Sequence, residues 1–146
     1  MLTKKAKYAL KAALHLARRE AQGPVLIAEI AAAERIPKKF LESILLGMKN
    51  HGLLASRKGR GGGYALARPA ARVTFGEIVR IMDGPLAPVP CVSVTAYRRC
   101  QECGPEKDCE IRAVMQRARD AISRVLDTTS LADALRGGPL KKNRKR

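Results

Sequence analysis

The stretch PKKFLESILLGMKNHGLLASRKGRGGGYALA, residues 37–67, decides the fold. Pro37 suits the first turn of a helix, where its missing N–H needs no partner. Apolar residues then recur at Phe40, Leu41, Ile44, Leu45 and Met48, the spacing of one buried helix face. The pattern predicts a helix to about Asn50, with Gly52 as its stop. Leu53-Leu54-Ala55-Ser56 and Tyr64-Ala65-Leu66-Ala67 read as two short strands. Between them lies Arg57-Lys58-Gly59-Arg60-Gly61-Gly62-Gly63, a cationic glycine-rich hairpin.

Immediately upstream, Ile27 to Glu34 fits a shorter helix with Ile30 and Ala31 turned inward. Two helices joined by a tight turn, the second opening on Lys38-Lys39, form a helix-turn-helix pattern. A basic hairpin directly after it is the wing of a winged-helix DNA reader. The glycines would let the backbone approach a narrow groove, where Arg57, Lys58 and Arg60 meet phosphate or the minor groove. A loop cradling a nucleotide phosphate would instead lead into a helix, and here the strand-like Tyr64-Ala65-Leu66 follows.

Thr3 can cap a first helix whose buried stripe is Ala6, Leu10, Ala13, Leu14 and Ala17, with Lys4, Lys7, Lys11, Arg18 and Arg19 opposite. Gln22-Gly23-Pro24 ends it. Thr74-Phe75-Gly76-Glu77 has capping-box form and opens a fourth helix through Met82, stopped by Asp83-Gly84-Pro85. Pro85, Pro88 and Pro90 make an extended connection. Asp108 can then cap a long helix striped by Ile111, Val114, Met115, Ala118, Ile122, Val125 and Leu126. A chain this small has little surface to cover such a stripe, which points to a homodimer interface. Ser130-Leu131-Ala132-Asp133 begins a last short turn, and Gly137-Gly138-Pro139 ends order.

The fold class expected is mainly α with a small β-wing. Residues 1–84 form a winged helix-turn-helix domain and residues 85–109 a cysteine-rich loop. Residues 110–135 form a dimerisation helix with a short terminal helix, and 136–146 a disordered basic tail. Lys141-Lys142-Asn143-Arg144-Lys145-Arg146 in that tail would add salt-sensitive attraction to DNA.

Composition agrees with a polyanion partner. The 146 residues carry 29 Lys and Arg against 13 Asp and Glu, a formal net charge of +16. Aromatics make up 3% with no Trp, too few for a platform that stacks single-stranded bases, so duplex DNA is favoured. No leader pattern opens the chain and no apolar run reaches roughly eighteen residues, so a cytoplasmic protein with no membrane contact is expected. His15 and His51 lie far apart with no nucleophile–base constellation around them, which argues against an enzyme.

All four cysteines, Cys91, Cys100, Cys103 and Cys109, fall in one short segment spaced C-x8-C-x2-C-x5-C. Four thiolates can hold an iron–sulfur cluster or one zinc ion, or pair as disulfides. A reducing cytosol disfavours stable disulfides, so a metal or cluster leads. Zinc suits the Cys-x2-Cys spacing. Metal-free sensing through a reversible Cys100–Cys103 disulfide is the third option. Arg98, Arg99 and Lys107 would lower thiolate pKa values in any of the three.

The runs Leu2-Thr3 with Tyr8-Ala9-Leu10, Ile36-Pro37-Lys38-Lys39-Phe40-Leu41-Glu42, Gly52-Leu53-Leu54 and Gly61-Gly62-Gly63-Tyr64-Ala65-Leu66 resemble the Rrf2 family of bacterial transcription regulators. Thr74-Phe75-Gly76-Glu77-Ile78 and Asp83-Gly84-Pro85-Leu86 extend the resemblance over about residues 1–135. It implies a homodimeric winged helix, here a repressor, on a dyad-symmetric operator. Some relatives hold a [2Fe–2S] or [4Fe–4S] cluster in the loop before the dimer helix, and others respond to a partner protein without a cofactor. By motif position the family's DNA-reading residues fall on Lys38, Lys39, Glu42 and Ser43 of the helix and on Lys58 and Arg60 of the wing. Glu42 could accept from a cytosine amino group, and Lys39 or Ser43 could reach phosphate or base edges. In the cysteine loop, Cys103-x5-Cys109 matches the spacing of cluster-binding members, whereas Cys91 lies farther upstream and Cys100 is extra. Arg112 stands where a His would follow. With no histidine near, a cluster held by all four cysteines and controlling operator affinity is the first expectation, with structural zinc or metal-free thiol sensing as the alternatives.

Overall fold

Thr3 fixes both the start of the first helix and its place in the molecule. In the computed structural model, which describes residues 2–137, its hydroxyl accepts from the Ala6 N–H at 3.1 Å and caps α1, Lys4–Arg18. The same hydroxyl and the Thr3 N–H donate to the Asp83 carboxylate, which joins the head of α1 to the tail of α4, Phe75–Asp83. The face of α1 toward the core is lined by Ala6, Ala9, Ala12, Ala13 and Ala17 around Leu10 and Leu16. Small side chains there let the neighbouring helices pack closely.

Next come α2, Ile27–Glu34, and α3, Lys38–Asn50. Pro37 lies one residue outside α3, at the capping position with extended ψ, instead of in the first turn. The residues of the expected α3 stripe at Leu41, Ile44, Leu45 and Met48 are all fully buried. Phe40, the fifth, meets Tyr8 of α1 edge-on at 5.6 Å between ring centres. The strands fall one residue from the expected bounds. β1, Leu54–Arg57, pairs antiparallel with β2, Gly63–Leu66, placing Arg57 opposite Gly63. Val25 bridges to β2 from outside this pair, exchanging both backbone hydrogen bonds with Tyr64 at 2.8 Å.

The capping box at α4 is formed as read, Thr74 accepting from the Glu77 N–H and Glu77 from the Thr74 N–H. The helix ends at Asp83, one residue beyond Met82. α1 likewise stops at Arg18, and a 3-10 turn, Glu20–Gln22, fills the space before Gly23.

The cap of α5, Glu110–Thr128, is Cys109 and not Asp108. Asp108 closes a 3-10 turn, Glu106–Asp108, so its neighbour is the first residue with extended backbone. The Cys109 sulfur accepts from the Arg112 N–H at 3.4 Å. None of the residues of α5 is buried, and Ile111, Val114, Ile122 and Val125 are 68, 56, 44 and 61% exposed. Leu126 alone of the stripe packs on the core. α6, Leu131–Leu135, begins at a Ser130–Asp133 capping box and drives Leu131 fully into that core. Of the expected tail at 136–146, residues 138–146 lie outside the described residues.

Candidate nucleic-acid interface and cysteine loop

Lys38, Lys39, Glu42 and Ser43 share the exposed side of α3, opposite the buried stripe. Among the described residues Lys38, Lys39 and Glu42 have no ion-pair partner. Ser43 donates its hydroxyl to the Phe40 carbonyl at 2.9 Å, which leaves its oxygen free to accept, while donation to a base would require exchanging that bond. Arg57, Lys58 and Arg60 are exposed on the hairpin. Gly62 has a reason internal to the hairpin: a Cβ there would lie 2.3 Å from the Arg57 carbonyl oxygen and 2.7 Å from that of Gly59. The bare backbone closes the turn, with the Gly62 N–H on the Gly59 carbonyl at 3.0 Å. Gly59 and Gly61, at the tip, have open space around them.

The cysteines come from three local structures. Cys91 is buried in a 3-10 turn, Pro90–Val92, Cys100 and Cys103 lie on the following loop, and Cys109 caps α5. All four line one small pocket of about 80 Å³, with Val89, Glu106, Ile111 and Arg112. The Cys103 thiol donates to the Cys100 sulfur at 3.2 Å. That bond stabilises the protonated form and, with the charge a Cys100 thiolate would carry, pushes Cys103 up to about 11. The expectation that Arg98, Arg99 and Lys107 lower the thiolate pKa values is therefore not met at Cys103, whose shift is upward and set first by the Cys100 sulfur. Among the described residues no three Cys, His, Asp or Glu side chains converge on a point that one metal ion could occupy as they stand. The donor set is nonetheless that of a thiolate-ligated centre: four sulfurs on one apolar-walled pocket, and no histidine beside them.

α5 is tied to the rest of the chain at its middle and near its C-terminal end. Arg119 donates to the Val92 carbonyl next to Cys91 at 2.5 Å. At the far end Arg80 of α4 grips Asp127 through two hydrogen bonds. The Phe75 N–H bonds the Thr129 carbonyl, and the Leu131 N–H bonds that of Val73. Sequence reasoning missed Arg80 and Asp127, whose separation of 47 residues leaves no local signal.

Comparison with known proteins gives this arrangement a family. The model of Rrf2, described as an iron-dependent transcriptional regulator, matches residues 2–137. An rrf2-like HTH-type transcriptional regulator of Rhodobacter capsulatus is 43% identical over 141 residues, covering 94% of each chain. The structure of CymR, the global cysteine regulator of B. subtilis, superposes with a TM-score of 0.76 at 30% identity, over 92% of this chain and 95% of that one. IscR of T. potens superposes at 0.75 with 26% identity, over 94 and 87%. These relatives are regulators and not enzymes, and no helix among the described residues is long and apolar enough to cross a membrane. With a matching family model along almost its whole length, and with the helix-turn-helix, wing and long helix in place, this chain belongs to the Rrf2 family of transcriptional regulators.

Proposed function

We propose that the chain is a sequence-specific regulator of transcription, a repressor that binds a dyad-symmetric operator as a homodimer. Its affinity is set by an iron–sulfur cluster on Cys91, Cys100, Cys103 and Cys109. One observation carries the sensor assignment: these four thiols, from three separate local structures, line a single pocket at the foot of α5. The family's description as iron-dependent supports the choice of metal. A bound cluster would supply sensitivity to iron supply, oxidants or nitric oxide.

The remaining steps belong to the chain's own residues. Ligands from both elements, Cys91 and Cys109, would tie the Pro90–Val92 turn to the start of α5 if the four thiols held the cluster. The Arg119 bond to Val92 and the Arg80–Asp127 pair carry that ordering along α5 to the DNA-reading head. The exposed Ile111, Val114, Ile122 and Val125 give α5 an apolar face for a second copy, so the same ordering sets the spacing of two recognition helices. Lys38, Lys39, Arg57, Lys58 and Arg60 supply phosphate and groove contacts, and Glu42 and Ser43 the base edges.

The test is anaerobic purification with a visible spectrum and iron, sulfide and zinc measured on one sample, followed by operator binding of the holo form and of Cys103→Ala at matched salt. Iron and sulfide in ratio, with a loss of affinity control in the variant, are expected. Zinc without sulfide replaces the cluster with a structural ion. Colourless, metal-free protein with unchanged binding sinks the cofactor and leaves regulation by a partner protein.

The 3.2 Å Cys100–Cys103 contact favours a second reading, a reversible disulfide in the metal-free protein. A peroxide would accept the two electrons as the S–S bond forms, with the thiol protons leaving in the water produced. Thiol counting before and after peroxide distinguishes it.

A further inference from the structure

Among the described residues one non-glycine residue has a positive φ. Arg35, at the end of α2, sits at φ 55° and ψ 50°, the left-handed region usually given to glycine or asparagine. The turn demands that shape. The N–H groups of Arg35 and Ile36 both return to the Ala31 carbonyl, and Ile36 is buried at 3% exposure, so relaxing the turn would pull Ile36 out of the core. Glycine would take the same backbone without strain. Arginine is the costlier residue here, and what it adds is an exposed cation.

That cation is left free by its neighbours. Glu34 is turned to His15 at 3.1 Å and Arg18 at 3.6 Å, and Glu29 to Arg19, all on the α1 side. Arg35 has neither an ion pair nor a side-chain hydrogen bond among the described residues, and Lys38 and Lys39 just beyond the turn have no ion pair. Glu29 and Glu34 are therefore engaged on the α1 side, while Arg35, Lys38 and Lys39 face solvent unpaired among the described residues. We propose that Arg35 binds a DNA backbone phosphate beside the groove that α3 enters, an additional contact that fixes the register of the recognition helix. A guanidinium fork suits two phosphate oxygens. The inference rests on the DNA-binding reading above.

The competing structural role is a favourable charge at the C-terminus of α2, and Arg35→Gly separates the two because glycine removes strain and charge together. The probe is a labelled random-sequence DNA duplex titrated over a salt series, with thermal melts on the same samples. Arg35→Gly is expected to hold or raise the melting temperature, to weaken binding several-fold, and to reduce the log–log salt slope by about one. Arg35→Lys is expected to keep the wild-type slope. The proposal is overturned if Arg35→Gly binds with wild-type affinity and slope, if its melting temperature falls with the slope unchanged, or if Arg35→Lys loses as much as Arg35→Gly. Wild-type protein that fails to bind the duplex even at low salt overturns the DNA-binding reading and this contact with it. Wild-type binding with an unaffected Arg35→Gly overturns the contact alone.

Discussion

Arg80 and Asp127 meet through two parallel hydrogen bonds, Nη1 to Oδ1 at 2.6 Å and Nη2 to Oδ2 at 2.9 Å, across the junction of α4 and α5. Gly76 makes room for them, since a Cβ there would fall 2.0 Å from Asp127 Oδ1. The guanidinium holds the Asp127 carboxyl below its ordinary value and raises its own, each chiefly through the shared hydrogen bonds.

The sign of the pH dependence follows from the depressed carboxyl. The pair stabilises the fold above the unfolded-state pKa of about 4 and is lost as pH falls through the lower folded-state value. The side chains are 36 and 41% exposed, so screening limits the contribution to about 1 kcal/mol or less. Asp127→Asn should therefore melt slightly earlier than wild type at neutral pH, with the gap closing under acid and in high salt. Melts of both proteins over a pH series check this, and a gap indifferent to pH would assign the difference to packing.

Gly62→Ala is expected to damage the wing while sparing the helices. The added methyl meets two backbone oxygens, which cannot swing away as a side chain could. Opening the hairpin to admit it should cost about 1–3 kcal/mol locally. Amide exchange in β1 and β2 should speed up, α1 and α3 should keep their protection, and duplex affinity should drop. Uniform loss of protection instead would mean that the wing and the core unfold together.

What was legible in the chain was local. The stripe Leu41, Ile44, Leu45 and Met48, the Thr74–Glu77 box and the Gly52 stop each act within one or two helical turns, so their spacing reveals them. Thr3–Asp83, Val25–Tyr64 and Arg80–Asp127 join residues far apart, and no periodicity announces such partners. The cap of α5 failed by one residue for a similar reason. Asp108 and Cys109 can each accept an N–H bond, and the 3-10 turn that consumes Asp108 depends on how the loop packs. The grouping of the four cysteines was plain, whereas their open arrangement around the pocket depends on the loop's path between Pro90 and Glu110.

Cys109 combines a helix cap with a proposed ligand, and two substitutions separate them. Cys109→Ala removes both and should lower the stability of metal-free protein by less than about 1 kcal/mol, since the sulfur is a weak acceptor. Cys109→Ser keeps a good cap and removes the thiolate. Metal-free Cys109→Ser should thus melt at or above wild type, while both variants lose iron. Calorimetry on metal-free protein, with iron content after reconstitution, checks the separation. If Cys109→Ser retained full iron, this thiol would not be a ligand.

Lys38→Ala and Glu42→Ala should fail in different ways. Lys38 is exposed at the first turn of α3 and Glu42 one turn on along the same side, with no ion pair to either among the described residues. A lysine at phosphate gives a sequence-independent, salt-sensitive attraction, so Lys38→Ala should weaken operator and random duplex equally and lower the salt slope by about one. A carboxylate repels phosphate and contributes only where a base amino group meets it. Glu42→Ala should therefore leave random-duplex affinity equal or higher while losing about 1–3 kcal/mol of preference at one base pair. Binding measured against a set of single-base operator variants reads both effects. Identical profiles from the two variants would erase the division between phosphate and base contacts on α3.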